Sequence, residues 1–129
     1  MLNGVFPFKE GIPVTLITVP GLADLRDLLE THERETPTLL LVGSHAWQYC
    51  TDLHSRIATL AKTRPEILFY EFDVDDYEED FLHEPLMEIF SQCRIKYLPS
   101  QVLLPREGRG KVLSTANLEE IRHELAQML

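Results

Sequence analysis

Residues Thr36 to Lys62 read TPTLLLVGSHAWQYCTDLHSRIATLAK, an extended run that gives way to a helical one across a short polar loop. Pro37 restarts the chain as extended backbone, because the residue before a proline is pushed out of the helical region. TLLLVG is then apolar without alternation, the pattern of a central parallel strand covered on both faces. Beyond the loop, Leu53, Ile57, Leu60 and Ala61 recur at helical spacing and predict a helix with one buried side. Cys50 falls near the start of that helix, alone, and its role governs what chemistry the chain can perform.

Outward from this unit, strands and helices alternate. VTLITV (Val14 to Val19) is β-branched and closed by Pro20-Gly21, so it reads as a strand and turn. Leu22, Leu25, Leu28 and Leu29 give the next segment an amphipathic helical stripe. EILFYEFDV predicts a third strand, and EPLMEIFSQC a helix with Pro85 in its first turn and Leu86, Ile89 and Phe90 buried. SQVLLP and GKVLS predict two strands of a hairpin around the turn REGRG. NLEEIRHELAQML closes the chain as a helix, with Asn117 as N-cap and Leu118, Ile121, Leu125 and Leu129 buried.

With 129 residues, 44% of them hydrophobic and 26% charged, the chain matches a single globular α/β domain. Residues 14–129 form that domain and residues 1–13 an N-terminal extension, in which Val5, Phe6 and Phe8 could cover a sheet edge or join a dimer interface. A formal net charge of −9 opposes binding to nucleic acid, which needs clustered Lys and Arg. The first residues lack a basic stretch followed by an apolar one, and no apolar run approaches a membrane span, so a cytoplasmic location away from membranes is expected. Two cysteines, Cys50 and Cys93, make no disulfide framework and are expected to be thiols.

The order β-α-β-α-β-α-β-β-α resembles the thioredoxin-like superfamily over roughly Val14 to Leu129, and implies a central mixed sheet flanked by helices. That resemblance has two anchors. SQCRIKYLPSQVLL (Ser91 to Leu104) looks like the family's helix end, loop, cis proline and following strand, which places Pro99 at the cis position. HAWQYCTDLH (His45 to His54) stands where the family carries Trp-Cys-Gly-Pro-Cys-Lys. Matching Pro37 to the proline that often precedes the family's strand puts Trp47 and Cys50 on the two redox positions, as a WxxC motif. A shift of three residues would bring Leu53 onto the second position and disturb the apolar stripe of the helix.

In that register the dithiol pair is lost, since Trp47 cannot attack a disulfide and a single thiol cannot resolve one. The family's buried acid has its place on Leu41. A conventional protein-disulfide reductase is therefore not expected, and whether the chain is an enzyme stays open. Two functions remain. A protein-binding or chaperone-like module would grip a peptide at a face made by Trp47, Tyr49, Leu98 and Pro99, unless Trp47 folds onto the core. Alternatively, a monothiol redox protein would act through Cys50 by mixed disulfide or glutathione chemistry, the thiol lowered in pKa by the helix N-terminus. A plain buried side chain is the competing reading of Cys50. His54, four residues on, could assist the thiol, and Cys93 is an accessory or pairing candidate as well as a packing residue. His45, Cys50 and His54 offer too few ligands for zinc, so neither a metal nor a cofactor is expected. The acidic stretch 73–80 is either a solvated loop or a dock for a basic partner, and the oligomeric state is left open.

Overall fold

The computed structural model describes residues 16–77 and 80–129. The extension 1–13, and with it Val14 and Thr15 of the expected first strand, lies outside the described residues. In chain order the elements are β1 (Ile17–Thr18), α1 (Leu22–Glu30), β2 (Thr38–Gly43), α2 (Gln48–Lys62) and β3 (Leu68–Asp73). A 3-10 turn (Val74–Tyr77), α3 (Asp80–Cys93), β4 (Ser100–Leu104), β5 (Lys111–Leu113) and α4 (Leu118–Met128) follow. The strands form one mixed sheet in the order β1-β3-β2-β4-β5. β1, β3 and β2 run parallel, while β4 is antiparallel to β2 and β5 to β4.

The two-sided burial expected of TLLLVG comes from strand alternation. Leu39 and Leu41 join Phe69, Leu103 and Leu113 under α2 and α4, where they meet Leu53, Ile57, Ile121 and Leu125. Leu40 and Val42 face the other way, with Phe72, Val102 and Leu104, against Leu25 of α1 and Leu86, Ile89 and Phe90 of α3. Each such fully buried aliphatic or aromatic side chain contributes about 1.5–3 kcal/mol, so β2 and its neighbours hold the helices on both faces. Two glycines serve the hairpin: Gly108 has φ 101° in the turn, and a Cβ on Gly110 would stand 2.8 Å from Leu104 Cδ2.

Three expectations need correction. α3 begins at Asp80, so Pro85 lies inside the helix rather than in its first turn. Its missing N–H removes one rung there, which the buried stripe of Leu86, Ile89 and Phe90 outweighs. Leu129 is half exposed, because α4 ends at Met128 and the last residue passes beyond the apolar face. The described part of the first strand is only Ile17–Thr18, with both residues exposed. Asn117 caps α4 as expected, accepting from the backbone N–H groups of Glu119 (2.9 Å) and Glu120 (3.3 Å). No helix among the described residues is long and apolar enough to cross a membrane.

Candidate functional site

β2 and β3 end side by side, and the loop from Gly43 to Trp47 leads from β2 into α2 above them. Side chains at the end of β3 hold this loop. Asp75 Oδ2 accepts from Ser44 Oγ (2.7 Å) and from the Ala46 N–H (3.2 Å). Asp73 Oδ1 accepts from the Asp75 N–H at 2.9 Å, and its other oxygen pairs with His45 Nδ1. Two acids of the stretch 73–80 are thus turned onto the loop, while Asp76 is exposed. The ligand-type atoms of His45, Asp73 and Asp75 lie within 4.8 Å of one another, a grouping different from His45, Cys50 and His54. With Asp75 Oδ2 already taken by two loop donors, the trio acts as a polar clasp.

The hydrogen bond to Asp73, reinforced by its charge, raises the His45 pKa above the ordinary 6.5. A raised folded-state value means that the stabilisation is fully present below pH 6.5 and is lost as pH rises through the higher folded value. The difference in urea midpoint between the native protein and His45→Gln is therefore expected to shrink as pH climbs through that window. A difference that stays constant from pH 5 to pH 9 would mean that the clasp does not depend on imidazolium.

Cys50 sits in the first turn of α2, 5% exposed, at the wall of a cavity of about 220 Å³ shared with Leu41, Gly43, His54, Glu71 and Pro99. Its pKa is raised, chiefly by burial and further by the charges of Asp73 and Asp75, against which a hydrogen bond from the Ser44 backbone is insufficient. The direction is opposite to the lowering by the helix N-terminus that the monothiol reading calls for, and agrees with a buried side chain. The Cys50 N–H is engaged with Trp47 O at 3.1 Å, and buried apolar surroundings favour the neutral thiol. His54 Nε2 pairs with Glu71 rather than with the thiol, and Glu71 Oε2 also accepts from Thr18 Oγ1 at 2.9 Å.

Glu71 was missed by sequence reasoning. It stands directly opposite Leu41 in the β2–β3 register, on the same sheet face. A carboxylate therefore borders the Cys50 cavity from the neighbouring strand, although Leu41 occupies the position where the family places its acid. A signal was present: in FYEFD, Glu71 alternates with buried Phe69 and so shares its inward-facing side.

Cys93 lies elsewhere. It is half-buried against the α1/α3 side of the sheet, its pKa raised by burial and by Glu30, whereas α2 carries Cys50 on the opposite side. Both thiols are free, and the helices that carry them pack on opposite faces of the sheet.

The four residues expected to form a binding face, Trp47, Tyr49, Leu98 and Pro99, line two hollows, which the consecutive Leu98 and Pro99 connect. The Leu98–Pro99 bond is cis, and Pro99 is buried and faces the Cys50 cavity. Trp47, Tyr49 and Leu98 instead line a groove between the start of α2, α3 and the segment before β4. Trp47 (46% exposed) and Tyr49 (48%) stack with ring centroids 5.6 Å apart and planes at 28°. Tyr97, 70% exposed, and Met87 extend the apolar lining.

A scan against protein-family models finds no match to this chain, and no curated protein matches it. Solved structures do. The thioredoxin of Fasciola hepatica superposes with a TM-score of 0.68 at 20% identity, covering 88% of this chain and all of that one. Thioredoxin from Trypanosoma brucei brucei gives 0.70 at 17% identity over 95% of this chain and 97% of its own. Oxidized thioredoxin O1 of Arabidopsis thaliana gives 0.68 at 16%, covering 88% and 97%. Identities this low establish the thioredoxin-like fold and nothing of the activity.

Proposed function

We propose that this chain, on its thioredoxin-like fold, is a protein-binding module without dithiol chemistry that captures an extended apolar segment of another protein in a chaperone-like manner. The observation that carries this reading is the Trp47–Tyr49 stack. Two large aromatic rings, each nearly half exposed, open onto one apolar groove instead of folding into the core. Aromatic anchors in such a setting are typical of binding hot spots, since they bury large area at little cost in side-chain entropy. The monothiol alternative draws less support, because Cys50 is buried and its pKa lies above the ordinary range.

Trp47 is the only tryptophan of the chain and reports on the groove directly. Titration with synthetic peptides carrying a Phe-Leu core is expected to shift its emission to the blue. Tyr49→Ala is expected to weaken binding roughly tenfold, and Cys50→Ser to leave it intact. Unchanged Trp47 emission with every such peptide, or loss of binding on Cys50→Ser, overturns the reading.

A further inference from the structure

Among the described side chains, the titratable ones lining the Trp47–Tyr49 groove, tyrosines aside, are His83, Arg94 and Lys96. Among the described side chains no carboxylate lines it, in a chain whose formal net charge is −9. Arg94 and Lys96 are exposed, and among the described residues neither has a carboxylate within ion-pair distance. Of the described acids of α3, Glu84 and Glu88 are outside the lining.

The backbone adds an independent observation at Arg94. Residue 94 ends α3 with φ 65°, in the left-handed region, while Ile95 N–H reaches Phe90 O at 2.9 Å and Arg94 N–H reaches Ser91 O at 3.3 Å. This is the helix-ending loop in which glycine is the usual residue, because a Cβ there crowds the neighbouring backbone. A long cationic side chain occupies the position instead, and strain of this kind gathers at sites of recognition.

We infer that the groove selects an acidic partner: an extended apolar protein segment flanked by glutamate or aspartate. This rests on the groove-binding reading above and reverses the sign of partner expected from the stretch 73–80. The overall negative charge does not forbid it. At physiological salt the Debye length is about 8 Å, so remote acids are screened while Arg94 and Lys96 act at contact distance. The aromatic pair supplies the apolar contact, and the basic rim supplies partner choice and register.

The test uses three peptides with one Phe-Leu core, flanked by glutamates, glutamines or lysines, titrated against the full chain by Trp47 emission. The glutamate-flanked peptide is expected to bind roughly tenfold more tightly than the glutamine-flanked one at low salt, with the advantage shrinking as salt is added. Arg94→Gly combined with Lys96→Gln is expected to erase that preference. Glycine is at home at φ 65° and Lys96 is exposed, so the double variant keeps its fold. Lys111→Gln, on β5 and paired with Glu124, is the control that should retain the preference. Equal binding of the three peptides, tighter binding of the lysine-flanked one, or a preference that survives the double variant overturns the acidic-partner inference and leaves the groove reading standing. Binding of none of them removes the groove reading itself.

Discussion

Iodoacetamide at neutral pH is expected to alkylate Cys50 roughly a hundredfold more slowly in the folded protein than in the urea-unfolded chain, measured in a Cys93→Ser background. Two physical effects act together. Only the thiolate reacts, and burial with Asp73 and Asp75 nearby keeps the thiol protonated above its usual range. The sulfur is also shielded, at 5% exposure, so reaction awaits an opening of the loop or of the first turn of α2. The rate should rise at alkaline pH, above the range of an ordinary thiol, and should rise as well when His45→Gln loosens the loop clasp. A rate close to that of the unfolded chain at pH 7 would show an accessible thiolate and put the monothiol reaction ahead of the binding reading.

Leu41→Asp is expected to cost about 3–5 kcal/mol of stability at neutral pH, read from urea unfolding. The change restores a carboxylate at the position where the resembling family carries one, but the surroundings differ. Leu41 is 3% exposed, and Glu71 stands directly opposite in register on the adjoining strand. Desolvation and like charge both favour the protonated acid. Its folded-state pKa is thereby raised, so the cost is smallest near or below the unfolded value of about 3.9 and grows as pH rises above it. Leu41→Asn removes the same apolar contacts without the ionisation and should show no such pH-dependent part. Equal stability of the Asp and Asn variants at pH 7 would mean that water or His54 reaches the position, and that the cavity wall is not closed to charge.

The two experiments bear on one design. Thiol chemistry at a helix start needs a low-pKa, accessible sulfur and a proton acceptor in reach. Here the sulfur is buried, the His54 imidazole is tied to Glu71, and burial together with the nearby acids pushes the thiol pKa upward. What faces solvent at the start of α2 is the Trp47–Tyr49 pair, on a groove that Arg94 and Lys96 also line.

The sequence by itself determined the order of the elements, the double-sided burial of β2, the cap at Asn117 and the single cysteine at the start of α2. These features are local. Periodicity along Leu53, Ile57 and Leu60 or along Leu39 to Val42 reports the burial of a face whatever lies against it. The placement of Cys50 at the junction of strand and helix followed from the same patterns. Pairings across the sheet had no such signal. His54 meets Glu71 across 17 residues and His45 meets Asp73 across 28, and only the β2–β3 register brings them together. Tertiary structure also buried Pro99 beside the Cys50 cavity while leaving Trp47 half exposed on the groove. It also brought Arg94 and Lys96, just past the end of α3, to the groove lined by Trp47 and Tyr49. Local chemistry tells a residue which way to face, whereas its neighbours across space depend on how strands align and helices dock. The meeting of Arg94 and Lys96 with the aromatic pair is therefore a property of the packed fold, in a chain whose formal net charge is −9.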